Sequence, residues 1–272
     1  MRMAEFLKKI GRKWVWLVYL LALGIPFIIP LGLPLPIAGD TRVVYNQIEA
    51  LKEGDVVILW NAALGQWVEL GSGSLAITSH LMEKPVKIIY IGEPFGAERI
   101  INEAKTLGKK YGIDYMIMPV VTATEPQLSA FLKDMRSVVT TDWYGTPLDK
   151  LKVMDGVNSA KDITIAIRFT TVDIASDVRQ FVTTYHIPLV VFTSAGWYAG
   201  TKPYREAGQI TALLAGLGSG AEYESISGNP GKGIAWMDSM SLSQLVLVIF
   251  IILANVRLVT ERLQKLEGRI DA

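Results

Sequence analysis

Two long apolar segments, one near each end of the chain, constrain this sequence more than any other feature. The residues from Trp14 to Gly39 carry no charge, and Leu242 to Val256 is a second uncharged run. A helix needs about 20 apolar residues to cross a hydrocarbon core of roughly 30 Å. We therefore expect an N-terminal transmembrane helix in residues 1–39, a soluble domain in residues 40–238, and a C-terminal transmembrane helix with an amphipathic extension in residues 239–272.

The first segment is rich in proline, which cannot continue the interior of a helix. Regular helix is therefore predicted to end or kink between Pro26 and Pro30. A basic stretch before an apolar run is also typical of a cleaved signal peptide. This run is longer than such a signal requires, and Pro36-Ile37-Ala38 is a poor cleavage site, so we favour an uncleaved anchor.

Basic residues flank both segments on the side of the chain ends: Arg2, Lys8, Lys9, Arg12, Lys13, Arg257, Arg262, Lys265 and Arg269. By the positive-inside tendency, both termini are predicted to be cytoplasmic and residues 40–238 to lie outside the cytoplasmic membrane. Gln244 and Asn255 lie in the second segment, where polar side chains usually face another helix. The predicted partners are therefore the lipid bilayer and either further copies of this chain or other membrane subunits.

Between the two segments, short apolar runs alternate with helical patterns, which is typical of an α/β domain. We expect a mostly parallel sheet of about five strands flanked by helices. The domain has 18 basic and 22 acidic residues, and this net charge of −4 disfavours a nucleic-acid partner. The sequence contains no cysteine, and His80 and His186, interpreted as a helix-surface and a loop residue, are not at ligand spacing. We predict neither a metal nor a cofactor.

Polar residues follow several of the predicted strands. Ligands of parallel sheets usually bind beyond the carboxyl ends of the strands, so these residues are candidates for a small-ligand crevice. Several of them are equally suited to cap the helix that follows. The candidates are Asn61, Glu93, Thr122, Glu125 and Asp173.

Two short motifs suggest chemistry. The segment Gly71–Ala76 fits the G-x-G-x-x-G/A pattern that binds pyrophosphate, but it begins about ten residues after the preceding strand, which favours a flexible helix entry. The segment Thr193–Gly196 resembles the nucleophile turn of Clp-protease-like and signal-peptide-peptidase-A-like serine peptidases. That resemblance implies Ser194 as a nucleophile, with His186 or Lys202 available as its base.

An uncharged stretch near the end of the domain places small residues at four-residue spacing. These are Gly208, Ala212, Gly216 and Gly220. Small residues at this spacing let helix backbones approach closely. The pattern therefore predicts a buried core helix or a helix–helix interface, within one subunit or between subunits.

Four segments together resemble an uncharacterised family of prokaryotic two-span membrane proteins with an α/β domain. They are a DTRxxYxxIEAL-like start at Asp40–Leu51, a TTDxYGTP-like loop at Thr140–Pro147, a GQIxxLLxGLxxGAEYE-like segment at Gly208–Glu224, and MDxxS at Met237–Ser241. The resemblance implies the two-span architecture but no particular activity. The sequence favours a non-catalytic scaffold or accessory subunit of a membrane assembly over an extracytoplasmic serine hydrolase or a small-ligand receptor.

Overall fold

The computed structural model describes residues 12–61, 64–104, 107–119, 124–229 and 232–270, except for the side chains of residues 12 and 264–270. The chain forms two compact units. One is the α/β domain, Leu35–Gly233, and the other combines the residues up to Pro34 with those from Ile234 onward.

The α/β domain contains a parallel sheet, as the alternating pattern predicts, but the described residues form six strands rather than five. All neighbouring strands pair in parallel, in the order β3-β2-β1-β4-β5-β6. The strands are β1 (Val56–Asn61), β2 (Lys87–Gly92), β3 (Tyr115–Ile117), β4 (Ile165–Thr170), β5 (Leu189–Thr193) and β6 (Ala212–Ala215).

Helices cover both faces of the sheet, and β1 is buried along its whole length. Val57 and Leu59 belong to the core on one face, whereas Ile58 and Trp60 belong to the core on the other. The helices of the domain are α2 (Gly39–Glu49), α3 (Trp67–Met82), α4 (Pro94–Glu103), α5 (Glu125–Lys133), α6 (Met135–Val138), α7 (Ala175–Asp177, continued by the π-helical Val178–Thr184), α8 (Tyr198–Glu206) and α9 (Gly216–Ser227).

The extra strand lies at Ala212–Ala215, where the sequence predicted a helix of small residues, so the prediction of a helix is wrong for this part of the stretch. Gly208 lies in the turn after α8 and Gly216 begins α9, both with a left-handed backbone, at φ +70° and +59°. These two turns bracket the short apolar run that contains Ala212, which pairs with β5 as strand β6. Gly220 alone lies at a helix contact, where a Cβ atom would be 3.1 Å from the backbone nitrogen of Gly73 in α3.

Helix α3 also differs from its prediction. It begins at Trp67, so Gly71 and Gly73 lie inside a buried helix and form neither a phosphate loop nor a flexible entry. A Cβ atom on Gly73 would overlap the buried ring of Phe192 in β5, which explains why this position carries no side chain. His80, predicted on a helix surface, is buried because α2 and α9 both pack against this part of α3.

On both outer strands of the sheet, a backbone group on the free edge is bonded to a side chain or a loop. The Leu213 N–H of β6 donates to Asp40, whose carboxylate also pairs with both Nε and Nη2 of Arg205 at 2.8 Å. At β3, the carbonyl oxygen of Ile117 accepts a hydrogen bond from the backbone N–H of Trp143. Asp40 and Trp143 belong to two of the segments that carry the family resemblance.

The second unit consists of two antiparallel helices, α1 (Arg12–Ile28) and α10 (Lys232–Ile270). The Ser239 hydroxyl donates to the carbonyl oxygen of Leu23 at 2.8 Å, so the end of α1 lies beside the start of α10. Val15, near the start of α1, shares a groove of about 430 Å³ with Phe250 and neighbouring residues further along α10.

A buried carboxylate connects these helices at the end of α1. Asp238 accepts hydrogen bonds from the backbone N–H groups of Leu31, Gly32 and Leu33, at 2.8, 2.9 and 3.0 Å. The regular helix ends at Ile28, between the two prolines that predicted its end. The carboxylate thus replaces helical hydrogen bonds that the chain loses after Ile28.

Among the described helices, α10 is the one that is long and apolar enough to cross a membrane. Its candidate span is Lys232–Leu263, and the most apolar window of 18 residues has a mean hydropathy of 2.3 and is 6% buried. Helix α1 is apolar but has only 17 residues. The structure therefore contains one candidate membrane-spanning helix where the sequence predicted two.

Candidate functional site

The candidate site lies between β1 and β4, where the order of the strands reverses. From β1 the chain proceeds outward through β2 to β3, and from β4 it proceeds outward in the opposite direction to β6. Loops that leave two such neighbouring strands diverge, and the resulting crevice beyond their carboxyl ends is the usual ligand site of open parallel sheets.

Trp60 and Arg168 form the floor of this crevice. They are register partners on β1 and β4, so both side chains project from the same face of the sheet. The Arg168 guanidinium lies 3.7 Å from the centroid of the Trp60 ring, a cation–π contact. Its Nε donates to Asp177 of α7 at 3.2 Å, and the two side chains retain only 14% and 7% of their exposure.

The pair Arg168–Asp177 is strongly desolvated. Burial raises the pKa of Asp177, and the neighbouring guanidinium opposes that rise. Burial likewise lowers the pKa of Arg168 while Asp177 opposes the change. An ion pair in this position costs desolvation energy, so it is weak evidence for stability and marks a candidate functional position.

Glu125 forms one wall of the crevice and connects α5 to α7. Its two carboxylate oxygens accept from Nε and Nη2 of Arg179 at 2.9 and 2.5 Å. Gln180 and Ser176 donate to the same carboxylate at 3.1 and 3.3 Å. The hydrogen bonds from Arg179 and Gln180 lower the pKa of Glu125 to about 2, so this side chain is ionised at any physiological pH.

The crevice is small and polar, with a volume of about 130 Å³. Asp173 lies at its opening, where one carboxylate oxygen accepts from the backbone N–H of Ala175 at 3.1 Å. The lining is Trp60, Thr124, Glu125, Leu128, Arg168, Asp173, Ser176 and Asp177. Glu125 and Asp173, two of the five residues predicted for a crevice, are therefore brought together.

Two other predicted crevice residues have mainly structural contacts. Glu93 caps α4, accepting from the backbone N–H groups of Phe95 and Gly96 at 3.1 and 2.8 Å, as the capping alternative suggests. Asn61 donates to the carbonyl oxygen of Glu93 at 2.7 Å. Thr122 lies outside the described residues.

The sequence prediction missed Trp60, Arg168 and Asp177. A signal for the first two was available, because a tryptophan and an arginine interrupt the otherwise aliphatic runs of β1 and β4 near their carboxyl ends. A charged residue inside a buried strand is rare unless it is paired. Their proximity could not be read from the sequence, since it depends on the order of the strands.

Ser194 follows β5, as predicted, but the structure does not place a base beside it. Its backbone N–H donates to the Thr170 carbonyl oxygen, and among the described residues its hydroxyl forms no hydrogen bond with a basic side chain. His186 precedes β5 and Ser194 follows it, so the two residues lie at opposite ends of this strand. Lys202 pairs with Glu206 at 3.4 Å on the exposed side of α8.

The buried histidine belongs to a separate network on the other face of the sheet. The two ring nitrogens of His80 lie 2.8 Å from the Tyr223 hydroxyl of α9 and 2.7 Å from a Glu49 carboxylate oxygen of α2. Glu49 also pairs with Lys84 at 2.7 Å. Burial lowers the pKa of His80, against the opposing effect of Glu49, so the ring is neutral at pH 7 and connects three helices.

Comparison with protein-family models, with curated proteins and with solved structures found no match for this chain.

Proposed function

We propose that the protein is anchored in the cytoplasmic membrane by both helices of its second unit and acts as a non-catalytic accessory or scaffold subunit of a larger membrane assembly. In this arrangement both termini are cytoplasmic and the α/β domain is extracytoplasmic. The antiparallel packing of α1 and α10 supports the topology, since it directs both chain ends to the same side.

The contacts of Asp238 support a membrane location for the shorter helix α1. Backbone N–H groups in hydrocarbon need a protein partner, because no water is available there. The three N–H groups that follow α1 all donate to this one carboxylate. An N-terminal anchor of 17 helical residues, about 25 Å long, thereby continues into non-helical chain in which these three N–H groups are satisfied.

Gln244 is the observation that carries the proposal of an assembly. It lies in the apolar part of α10, its side chain is exposed, and it has no hydrogen bond with any described residue. Lipid tails can surround the apolar side chains of the neighbouring Leu245 and Leu247 without a free-energy penalty. They cannot form hydrogen bonds with the amide of Gln244. A glutamine in this position is expected to form hydrogen bonds with a helix of another subunit.

The test compares two amides of the same helix. Asn255 is also exposed, but its Nδ2 already donates to the carbonyl oxygen of Ile251 at 2.9 Å, so one polar group of this amide is satisfied within its own helix. In mild detergent, we expect the wild-type chain to migrate as an oligomer or a complex. Gln244→Leu should weaken that association about 5- to 30-fold, the effect of losing about 1–2 kcal/mol, whereas Asn255→Leu should weaken it less.

Association is measured by light scattering of the purified full-length chain and by mass spectrometry of the proteins that co-purify from native membranes. A wild-type chain that is monomeric at all concentrations, without partners, would contradict the proposal. Equal behaviour of the two variants would show that Gln244 is not the contact.

The structure offers less support for the serine hydrolase alternative. Ser194 lacks a neighbouring base among the described residues, and nucleophilic serines need one. A fluorophosphonate probe distinguishes the two functions. Labelling of the wild-type chain that disappears in Ser194→Ala would replace the proposal of a non-catalytic subunit.

A further inference from the structure

The crevice between β1 and β4 contains hydrogen-bond donors for which no described residue serves as acceptor. An arginine side chain has five N–H donors, and Arg168 uses the one on Nε to bind Asp177. Its two terminal nitrogens form no hydrogen bond with the residues that the structure describes, although the side chain lines the crevice. The ring of Trp60 lies against the guanidinium, 3.7 Å from its central carbon.

The same crevice contains an acceptor with remaining capacity. The carboxylate oxygens of Glu125 are occupied by Arg179, Gln180 and Ser176. Among the residues that the structure describes, Asp173 accepts one hydrogen bond, from the backbone N–H of Ala175 to Oδ2, and none to its other oxygen. Arg168 can thus donate hydrogen bonds to an anionic group of a ligand, and Asp173 at the opening can accept them from a cationic group.

We propose that this crevice binds a small zwitterion of the α-amino acid class, with its carboxylate on Arg168 and its ammonium group on Asp173. A planar guanidinium with two free amino groups matches a carboxylate in bidentate geometry. Trp60 and Leu128 supply a short apolar wall for the carbon atoms between the charged groups.

Charge and volume exclude the other common ligand classes. A simple anion at Arg168 would also meet the carboxylates of Glu125, Asp173 and Asp177, and such like-charge contacts are unfavourable. A nucleotide or a drug-sized ligand needs a pocket of about 300–1,000 Å³. The crevice has about 130 Å³ and accommodates only a ligand of a few heavy atoms. This site does not include Gln244, so the proposal of a ligand site and the proposal of an assembly can be tested, and contradicted, separately.

The experiment uses the full-length chain in nanodiscs and measures binding by calorimetry and by the shift of the unfolding temperature. The probes are glycine, L-alanine and L-serine, with acetate and methylamine as the two halves of the zwitterion. We expect at least one amino acid to bind at millimolar concentration or below, and neither half to bind at the same concentration.

Two variants locate the binding. Asp173→Asn should weaken amino acid binding at least about tenfold, because asparagine keeps the cap on Ala175 but removes the charge. Asp134→Asn is the matched control, since Asp134 caps α6 in the same way, through Arg136 and Ser137, away from the crevice. Arg168→Lys keeps a charge beside Asp177 but removes the bidentate donors, and it should also abolish binding.

Three results would overturn the proposal: binding of acetate as tight as that of glycine, no response to any amino acid, or equal binding by the wild type and Asp173→Asn. Circular dichroism of each variant confirms that a loss of binding does not reflect a loss of fold.

Discussion

Two helix pairs in this chain depend on small and polar side chains: α3 with α9 inside the α/β domain, and α1 with α10 in the other unit. In the first pair, Gly220 lets the backbones touch and His80 bonds to Tyr223, while both helices are covered by the rest of the domain. In the second pair, Ser239 and Asp238 make the polar contacts and the apolar side chains point outward.

The comparison shows that small and polar side chains at a helix contact do not identify the medium around the two helices. Water surrounds a domain that buries its apolar side chains between helices and sheet. In the second unit the arrangement is inverted, because residues such as Leu247 and Ile252 are half exposed and the polar groups lie between the helices. Whether water or lipid surrounds a helix pair must therefore be inferred from the side chains that point away from the pair, and not from those between its two helices.

The largest expected effect is in the first pair. In Gly220→Ala the added methyl group would collide with the Ser72 hydroxyl and lie 3.1 Å from the backbone nitrogen of Gly73. Helix α3 cannot move away, because the Phe192 ring lies against Gly73 on its other side. We expect a loss of about 2 kcal/mol in the free energy of unfolding, measured by denaturant titration of the full-length chain.

Gly218→Ala is the control for that variant. It lies in the same helix, and nothing lies within 4 Å of its added methyl group. Alanine favours helix more than glycine does, so this variant should be stabilised by about 0.5–1 kcal/mol. Equal destabilisation of the two variants would mean that the contact between α3 and α9 is not the cause.

An effect confined to residues 31–33 is expected in the second pair. Asp238→Ala leaves the N–H groups of Leu31, Gly32 and Leu33 without their acceptor, at a cost of about 1–3 kcal/mol. Hydrogen–deuterium exchange should accelerate at these three amides, while the unfolding midpoint of the α/β domain is unchanged. In the control Ser243→Ala, which loses a bond within its own helix, exchange at residues 31–33 should be unaffected.

The smallest effect concerns pH and is confined to the first pair. The pKa of His80 is lowered by burial, so the unfolded chain binds a proton more readily than the folded one as pH falls below about 6.5. The contribution of the neutral His80 ring to the free energy of unfolding is fully present above that pH and is lost as the pH falls. Stability, measured by thermal unfolding, should therefore decrease as the pH falls from 7 to 5.5.

Glu49 adds to this loss only at lower pH. Hydrogen bonds from Lys84 and His80 lower its pKa, so its contribution is present above its unfolded value of 4.5 and is lost below it. The variant His80→Gln should flatten the stability profile between pH 7 and 5.5. A profile that stays as steep in His80→Gln as in the wild type would mean that another group causes the loss of stability.

The α/β class and most strands could be predicted from the sequence because buried parallel strands read as short aliphatic runs. Strand β6 could not, because Ala212–Ala215 is short and the glycines on either side have the spacing of a helix face. The left-handed backbone at Gly208 and Gly216 separates the strand from α8 and α9. A glycine adopts positive and negative φ with similar ease, so its φ cannot be predicted from the sequence.

The candidate site was predictable only in part, for a different reason. Glu125 and Asp173 were recognised because they follow apolar runs, and the structure brings them to one crevice. Arg168 and Trp60 meet because β1 and β4 are neighbours, although more than 100 residues separate them in the sequence. Such a pair depends on strand order, which local patterns do not encode.

If the domain is held at a membrane surface, as proposed above, the contacts at its outer strands have a further consequence. Tethered copies would meet often at high local concentration, and an open strand edge would let them join through backbone hydrogen bonds into aggregates. Asp40 at β6 and Trp143 at β3 each bond to a backbone group on those edges. Both contacts disfavour pairing of two copies through their outer strands.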